Sequence, residues 1–339
     1  MRKRRLSGTA ILLVVELVAL IAICVLGALK LMKPEEEKRT IHRTDAVIAL
    51  DVDTEVQPTD TEQTTEATTA EQTETTETAP PEPSEDIQAM IADMTLEDKV
   101  AMLFVVSPEN LTGETSVTMA GNVTRTALGN YHLGGLTYSY DNYVDDEQMR
   151  NLLNGTQSIS EQLMNHKPLM FGRDAESNQT LIYATTDDMS GLATALSTAD
   201  GVANNMDDST VRVVPCYPQI SNISPAYDVV MLSTEGDEPT CLSEEAVTAF
   251  RQSNGYYGII VTERLDSEAI TDNYTSAEAA VAAVNAGVDM IYEPEVFTEA
   301  YDAVVTAVNE GEIEEDTVDA AVGRILTYMN EIDYLVGVE

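Results

Sequence analysis

Tyr257-Gly258-Ile259-Ile260-Val261-Thr262-Glu263-Arg264-Leu265-Asp266 decides how the rest of the chain is read. Ile259, Ile260 and Val261 predict a strand buried on both faces, because a strand wetted on one side alternates apolar with polar residues. The run stops at a carboxylate, Glu263, and a helix signal follows. Strand, carboxylate, helix is the order in which an α/β barrel presents a reactive group at the C-terminal mouth of its strands. The next unit repeats the layout. Thr275 and Glu278 have the spacing of a capping box, an Ala-rich helix over 276–286 ends at Gly287, and a strand is expected at 289–292 before Pro294.

Upstream, Thr95 with Asp98 predicts a capped helix leading into a strand at 102–106. Further strands are expected at 133–138, 168–174, 211–214 and 228–232. The glycines Gly134 and Gly135 inside one of them signal close backbone approach. Met149, Leu152, Leu153, Ile159 and Leu163 form the apolar face of a helix, and two closing helices are expected near 296–309 and 316–331. About seven strands alternate with helices, where a closed barrel needs eight. The expected fold is α/β, a degenerate TIM-like (β/α) barrel over 88–339, preceded by a single transmembrane helix and a disordered linker.

Composition sets that organisation. Residues 1–7 form a basic tail, and 8–33 a membrane anchor whose apolar part, 8–29, contains Glu16 as its only charge and is long enough to span a bilayer. Arg2, Lys3, Arg4 and Arg5 place the N-terminus in the cytoplasm, so the rest is expected to lie outside a cell membrane as a single-pass protein. An uncleaved anchor is expected, with a cleaved signal as the alternative. Residues 34–87 read as a tether, since their Thr/Glu/Gln/Pro-rich part, 54–87, contains no large apolar residue except Val56 and, at its very end, Ile87, and cannot offset its ordering entropy.

Nine of the 18 basic residues lie in the first 43 positions, leaving nine against 55 acidic ones in the remainder. So negative a surface repels phosphates, which excludes nucleic acid as a partner. Cys24 falls in the anchor. Cys216 and Cys241 match no metal motif, and no metal or cofactor is expected; one disulfide and two free thiols both fit the spacing.

The stretch from Gly258 to Asp266, then Ala269-Ile270-Thr271-Asp272-Asn273-Tyr274, then Ala286-Gly287-Val288-Asp289-Met290, resembles the nucleophile strand of glycoside hydrolase family 3, in its bacterial β-N-acetylhexosaminidase-like branch. The resemblance extends over 94–174 and 228–331, with a block of about one strand–helix unit missing between them. It implies that Glu263 occupies the position of the nucleophile, which in the family is Asp. It also implies that Asp174, ending the third expected strand, contacts bound sugar, although the Gly-Gly that follows in the family is absent. The branch uses a His paired with an Asp as acid/base and a Lys-His-Phe-Pro-Gly-His run to hold the sugar. Val214-Pro215-Cys216-Tyr217-Pro218-Gln219 is the nearest local match to that run, without its histidines. His42, His132 and His166 match neither context and read as solvated loop residues.

A carboxylate advanced by one methylene moves by about 1 Å, an error that can cost ~10²-fold, and loss of the acid/base costs a further ~10²–10⁴-fold. Arg264, directly behind Glu263, is expected to pair with it. The expected function is therefore a membrane-anchored, catalytically impaired family homologue, a pseudoenzyme binding N-acetylglucosamine-containing glycan or peptidoglycan fragments or scaffolding envelope proteins. One alternative is an active retaining β-N-acetylhexosaminidase using Glu263 with Glu235 or Asp237 as the acid. The other is an acidic interaction module on a stalk.

Overall fold

The computed structural model describes residues 81–173, 180–198, 210–234 and 239–337. The expected tail, the anchor at 8–33 and the tether up to residue 80 lie outside the described residues, as do Asp174, Glu235, Asp237 and His42. Among the described residues no helix is long and apolar enough to cross a membrane.

The fold is α/β and TIM-like, with nine strands among the described residues rather than about seven. They are β1 (Phe104–Val106), β2 (Gly135–Tyr138), β3 (Leu169–Arg173), β4 (Leu181–Ala184), β5 (Val211–Val213), β6 (Cys216–Tyr217), β7 (Val229–Leu232), β8 (Ile259–Thr262) and β9 (Ile291–Tyr292). Hydrogen bonding orders six of them β5-β4-β3-β2-β1-β9 and the other three β6-β7-β8. A parallel bridge between Val261 and Met290 joins the two sheets through β8 and β9. Among the described residues no ladder joins β5 to β6, so the strands described do not close a barrel. The two strands beyond the expected count are β4 and β6. Strand β4 runs antiparallel to both β3 and β5, which replaces a parallel unit with a meander.

The helices follow from their caps. They are α1 (Glu85–Asp93), α2 (Leu96–Met102), α3 (Pro108–Thr112), α4 (Asn122–Asn130), α5 (Asp146–Leu163), α6 (Ser190–Ala195), α7 (Glu244–Asn254), α8 (Glu268–Thr271), α9 (Ser276–Ala286), α10 (Phe297–Glu310) and α11 (Glu315–Glu331). Thr95 accepts from Asp98 N at 3.1 Å, and Thr275 and Glu278 complete the predicted box on α9. Gly287 ends α9 at φ 90°, in the left-handed region that glycine enters without steric cost. At Gly134 a Cβ would collide with the Met102 carbonyl, the close approach that its sequence predicted. Helix α1, capped by Ser84, starts just ahead of the expected domain boundary, and its Ile91 approaches Gly323 of α11.

One buried carboxylate ties these layers together. Asp289, fully buried before β9, accepts from Arg251 Nη2 of α7 at 2.7 Å, Arg324 Nε of α11 at 2.7 Å and the Ile260 amide of β8 at 2.6 Å. Removing one member of such a cluster leaves charges in low dielectric without compensation. Asp289→Asn is predicted to cost about 3 kcal/mol or more, read as a fall in the urea midpoint. A loss below about 1 kcal/mol would class it with ordinary surface pairs.

Candidate active site

The parallel strands point their C-terminal ends to one mouth. Glu263 follows β8 there, as its sequence position requires. Its Oε2 accepts three hydrogen bonds, from Ser233 Oγ at 3.0 Å, Thr234 N at 2.9 Å and Thr234 Oγ1 at 3.0 Å. All three donors lie at the end of β7, so the Glu263 carboxylate is drawn towards that strand. Gln219 Nε2, just past β6, reaches the same Ser233 hydroxyl at 3.4 Å. Val214–Gln219 therefore runs alongside β7, one strand removed from Glu263, and offers an amide to Ser233 in place of the family's histidines.

Arg264 does not pair with Glu263. It forms a two-pronged pair with Asp266, Nε to Oδ1 at 2.8 Å and Nη2 to Oδ2, because Asp266 is two residues away in the turn after β8 while Glu263 is engaged on its other side. One histidine also departs from expectation. His166 is not solvated but fully buried, its Nε2 3.0 Å from the Leu133 carbonyl oxygen and its Nδ1 3.0 Å from Asn165 Oδ1. Burial pushes its pKa down to about 4. His132 is partly exposed and contacts Asp98 at 2.8 Å. That His–Asp pair has the composition of a proton relay, yet both histidines precede strands β2 and β3, at the end of the barrel opposite Glu263. Cys216 and Cys241 are not bridged, so the disulfide alternative falls.

A second carboxylate lies one residue beyond the strand expected at 289–292. Glu293 directly follows β9, in the same strand-then-carboxylate layout as Glu263, and that repetition was the available signal. It is 4% exposed and adopts φ 44°, a left-handed conformation that costs a non-glycine residue about 1–2 kcal/mol. Strain of this kind concentrates at functional sites. Its Oε2 accepts from Ser107 Oγ and Asn110 Nδ2, both at 3.4 Å, from the segment after β1. Burial pushes its pKa up to about 7; Arg173 opposes the rise, Asp266 adds to it and Arg264 opposes it. Glu263 and Glu293 stand on neighbouring strands but hydrogen-bond in opposite directions, towards β7 and β1 respectively.

Residues 189–328 match the family model described as the glycosyl hydrolase family 3 N-terminal domain. The resemblance is to glycoside hydrolase family 3. A family 3 β-N-acetylglucosaminidase from Paenibacillus sp. str. FPU-7 has the same fold at a TM-score of 0.51 and 21% identity, over 73% of this chain and 64% of that one. A β-N-acetylhexosaminidase from Beutenbergia cavernae DSM 12333 gives 0.50 and 16%, over 70% of this chain and 99% of that one. The present chain thus spans less than two thirds of the Paenibacillus protein. No curated protein matches the sequence. The family 3 match covers most of the second resembling stretch, 228–331, and begins beyond the first.

The raised carboxyl of Glu293 makes a prediction whose sign is fixed. Its native state holds the proton more tightly than the unfolded chain, so stability falls as pH rises from the ordinary carboxyl value towards 7. Glu293→Gln removes this dependence and is expected to stabilise the protein by about 3 kcal/mol at pH 8 while leaving it nearly unchanged at pH 4. Thermal unfolding across that range, with and without the substitution, reads the difference.

Proposed function

We propose that the protein is a membrane-anchored, extracytoplasmic family 3 homologue whose barrel mouth binds N-acetylglucosamine-containing glycan and hydrolyses it poorly. The observation that carries this reading is the state of Glu263. One of its oxygens is committed to Ser233 and Thr234, and both described histidines stand at the far end of the barrel. A retaining mechanism needs a second carboxyl about 5–5.5 Å away, or another acid, facing the nucleophile across the scissile bond. Glu293, next along the sheet, gives its Oε2 to Ser107 and Asn110 on the opposite side. The mouth nevertheless keeps what binding needs, a strand-end carboxylate with hydroxyl and amide groups around it. The two similar structures are a β-N-acetylglucosaminidase and a β-N-acetylhexosaminidase, which supports N-acetylglucosamine-type sugars as the ligand. Anchoring rests on the apolar run at 8–29 and its basic flank.

Calorimetry with chitotriose and release of chromophore from an aryl N-acetylglucosaminide, both on the full chain in detergent, test the two halves separately. Binding is expected, with turnover ~10²–10⁴-fold below that of an enzyme with an intact acid/base. Glu263→Gln is expected to weaken binding about tenfold, the value of a charge-assisted hydrogen bond. Turnover at ordinary enzymatic rates that Glu263→Gln abolishes would refute impairment and favour the retaining hexosaminidase.

A further inference from the structure

Three buried polar atoms at the mouth have no hydrogen-bond partner among the described residues: Thr137 Oγ1 of β2, Tyr292 Oη of β9 and Glu293 Oε1. All three side chains are more than nine-tenths buried. They belong to one cluster. Burial and then the Glu293 charge raise the Tyr292 phenol, while Arg173, the Thr137 hydroxyl and Arg264 oppose that rise. The Thr137 and Tyr292 hydroxyls adjoin without forming a hydrogen bond of acceptable geometry between them. Such atoms are rare in folded proteins because each costs about 1–3 kcal/mol when left unpaired. The left-handed backbone at Glu293 adds to the cost of keeping the cluster as it is.

The chemistry around the three atoms selects what would satisfy them. Arg173 at the end of β3 and Arg264 after β8 disfavour a cation. The Glu293 and Asp266 carboxyls disfavour an anion. Two hydroxyls that both donate and accept, beside a carboxyl oxygen that accepts, match a neutral hydroxyl-bearing group. We propose that Thr137, Tyr292 and Glu293 form a subsite for a sugar hydroxyl, separate from Glu263, in which Glu293 Oε1 accepts the ligand's hydrogen bond. The inference rests on the glycan reading for the identity of the ligand, and on the orphaned atoms for the existence of the site. Ser107 and Asn110 hold the other Glu293 oxygen, so the free oxygen is the one left to the ligand.

A donated hydroxyl stabilises the ionised carboxyl, so ligand should drive the proton off Glu293. With burial pushing its pKa up to about 7, Glu293 is expected to be part-protonated near neutral pH, and its protonated carboxyl to give an infrared band that Glu293→Gln removes. The full chain in detergent is titrated with chitotriose, and separately with glycerol, which needs only a hydroxyl site. Calorimetry on the same samples reports whether chitotriose binds. Shrinkage of the band by about half or more on saturation with chitotriose is expected, together with about tenfold weaker binding in Glu293→Gln and in Tyr292→Phe. Chitotriose that binds while the band stays fixed and both variants bind normally overturns the subsite and leaves the glycan reading standing. If chitotriose does not bind but glycerol shrinks the band, the subsite stands and the glycan reading falls. No change with either probe overturns the subsite, leaving a carboxyl that holds buried water.

Discussion

Two arginines on one buried carboxylate hold this barrel in shape. The chain beyond residue 43 has only nine basic residues, and Asp289 takes two of them, Arg251 and Arg324, as well as the Ile260 amide. Through those bonds α7 and α11 are fixed to β8 and β9, the strands that end in Glu263 and Glu293. In a protein of net charge −41 self-repulsion works against compactness, so a buried anion neutralised from two sides gives direction as well as attraction. The position of both mouth carboxylates depends on it.

From that frame the mouth divides. Glu263 turns to Ser233 and Thr234 of β7, while Glu293 turns to Ser107 and Asn110 beyond β1. Two acidic groups on adjacent strand ends would supply the nucleophile and acid of a retaining glycosidase if they faced one another across a sugar. Their hydrogen bonds run apart instead, to the end of β7 and to the segment after β1. Binding and hydrolysis ask different things of the same carboxylates, and under the function proposed above this arrangement serves the first.

Much of the fold could be read in the sequence because local signals and burial agreed. The IIV run of β8, the Thr275–Glu278 box and the Gly287 stop each fix a boundary by a local rule, and the structure places them within a residue or so of expectation. Strands β4 and β6 were not legible. The Leu181–Ala184 run is short and antiparallel, and Cys216–Tyr217 gives only two residues of pattern. The site was partly legible. Glu263 is legible from its place after a buried strand; the strand ahead of Glu293 is expected too, at 289–292, but the carboxylate one residue beyond its end is marked only by repeating that strand-then-carboxylate layout. His166 was misjudged because a loop position says nothing about burial, and the contact that buries it, with Leu133, is 33 residues away. Arg264 was misassigned because sequence adjacency to Glu263 counted for more than Asp266 at the next reachable turn.

A crystal structure of the protein soaked with chitotriose tests the central claim most directly. An intact trisaccharide should lie at the C-terminal mouth, hydrogen-bonded to Glu263 at one point and to Glu293 at another, with no bond cleaved. A shortened sugar joined covalently to Glu263, or a trisaccharide seated away from both carboxylates, would contradict the account.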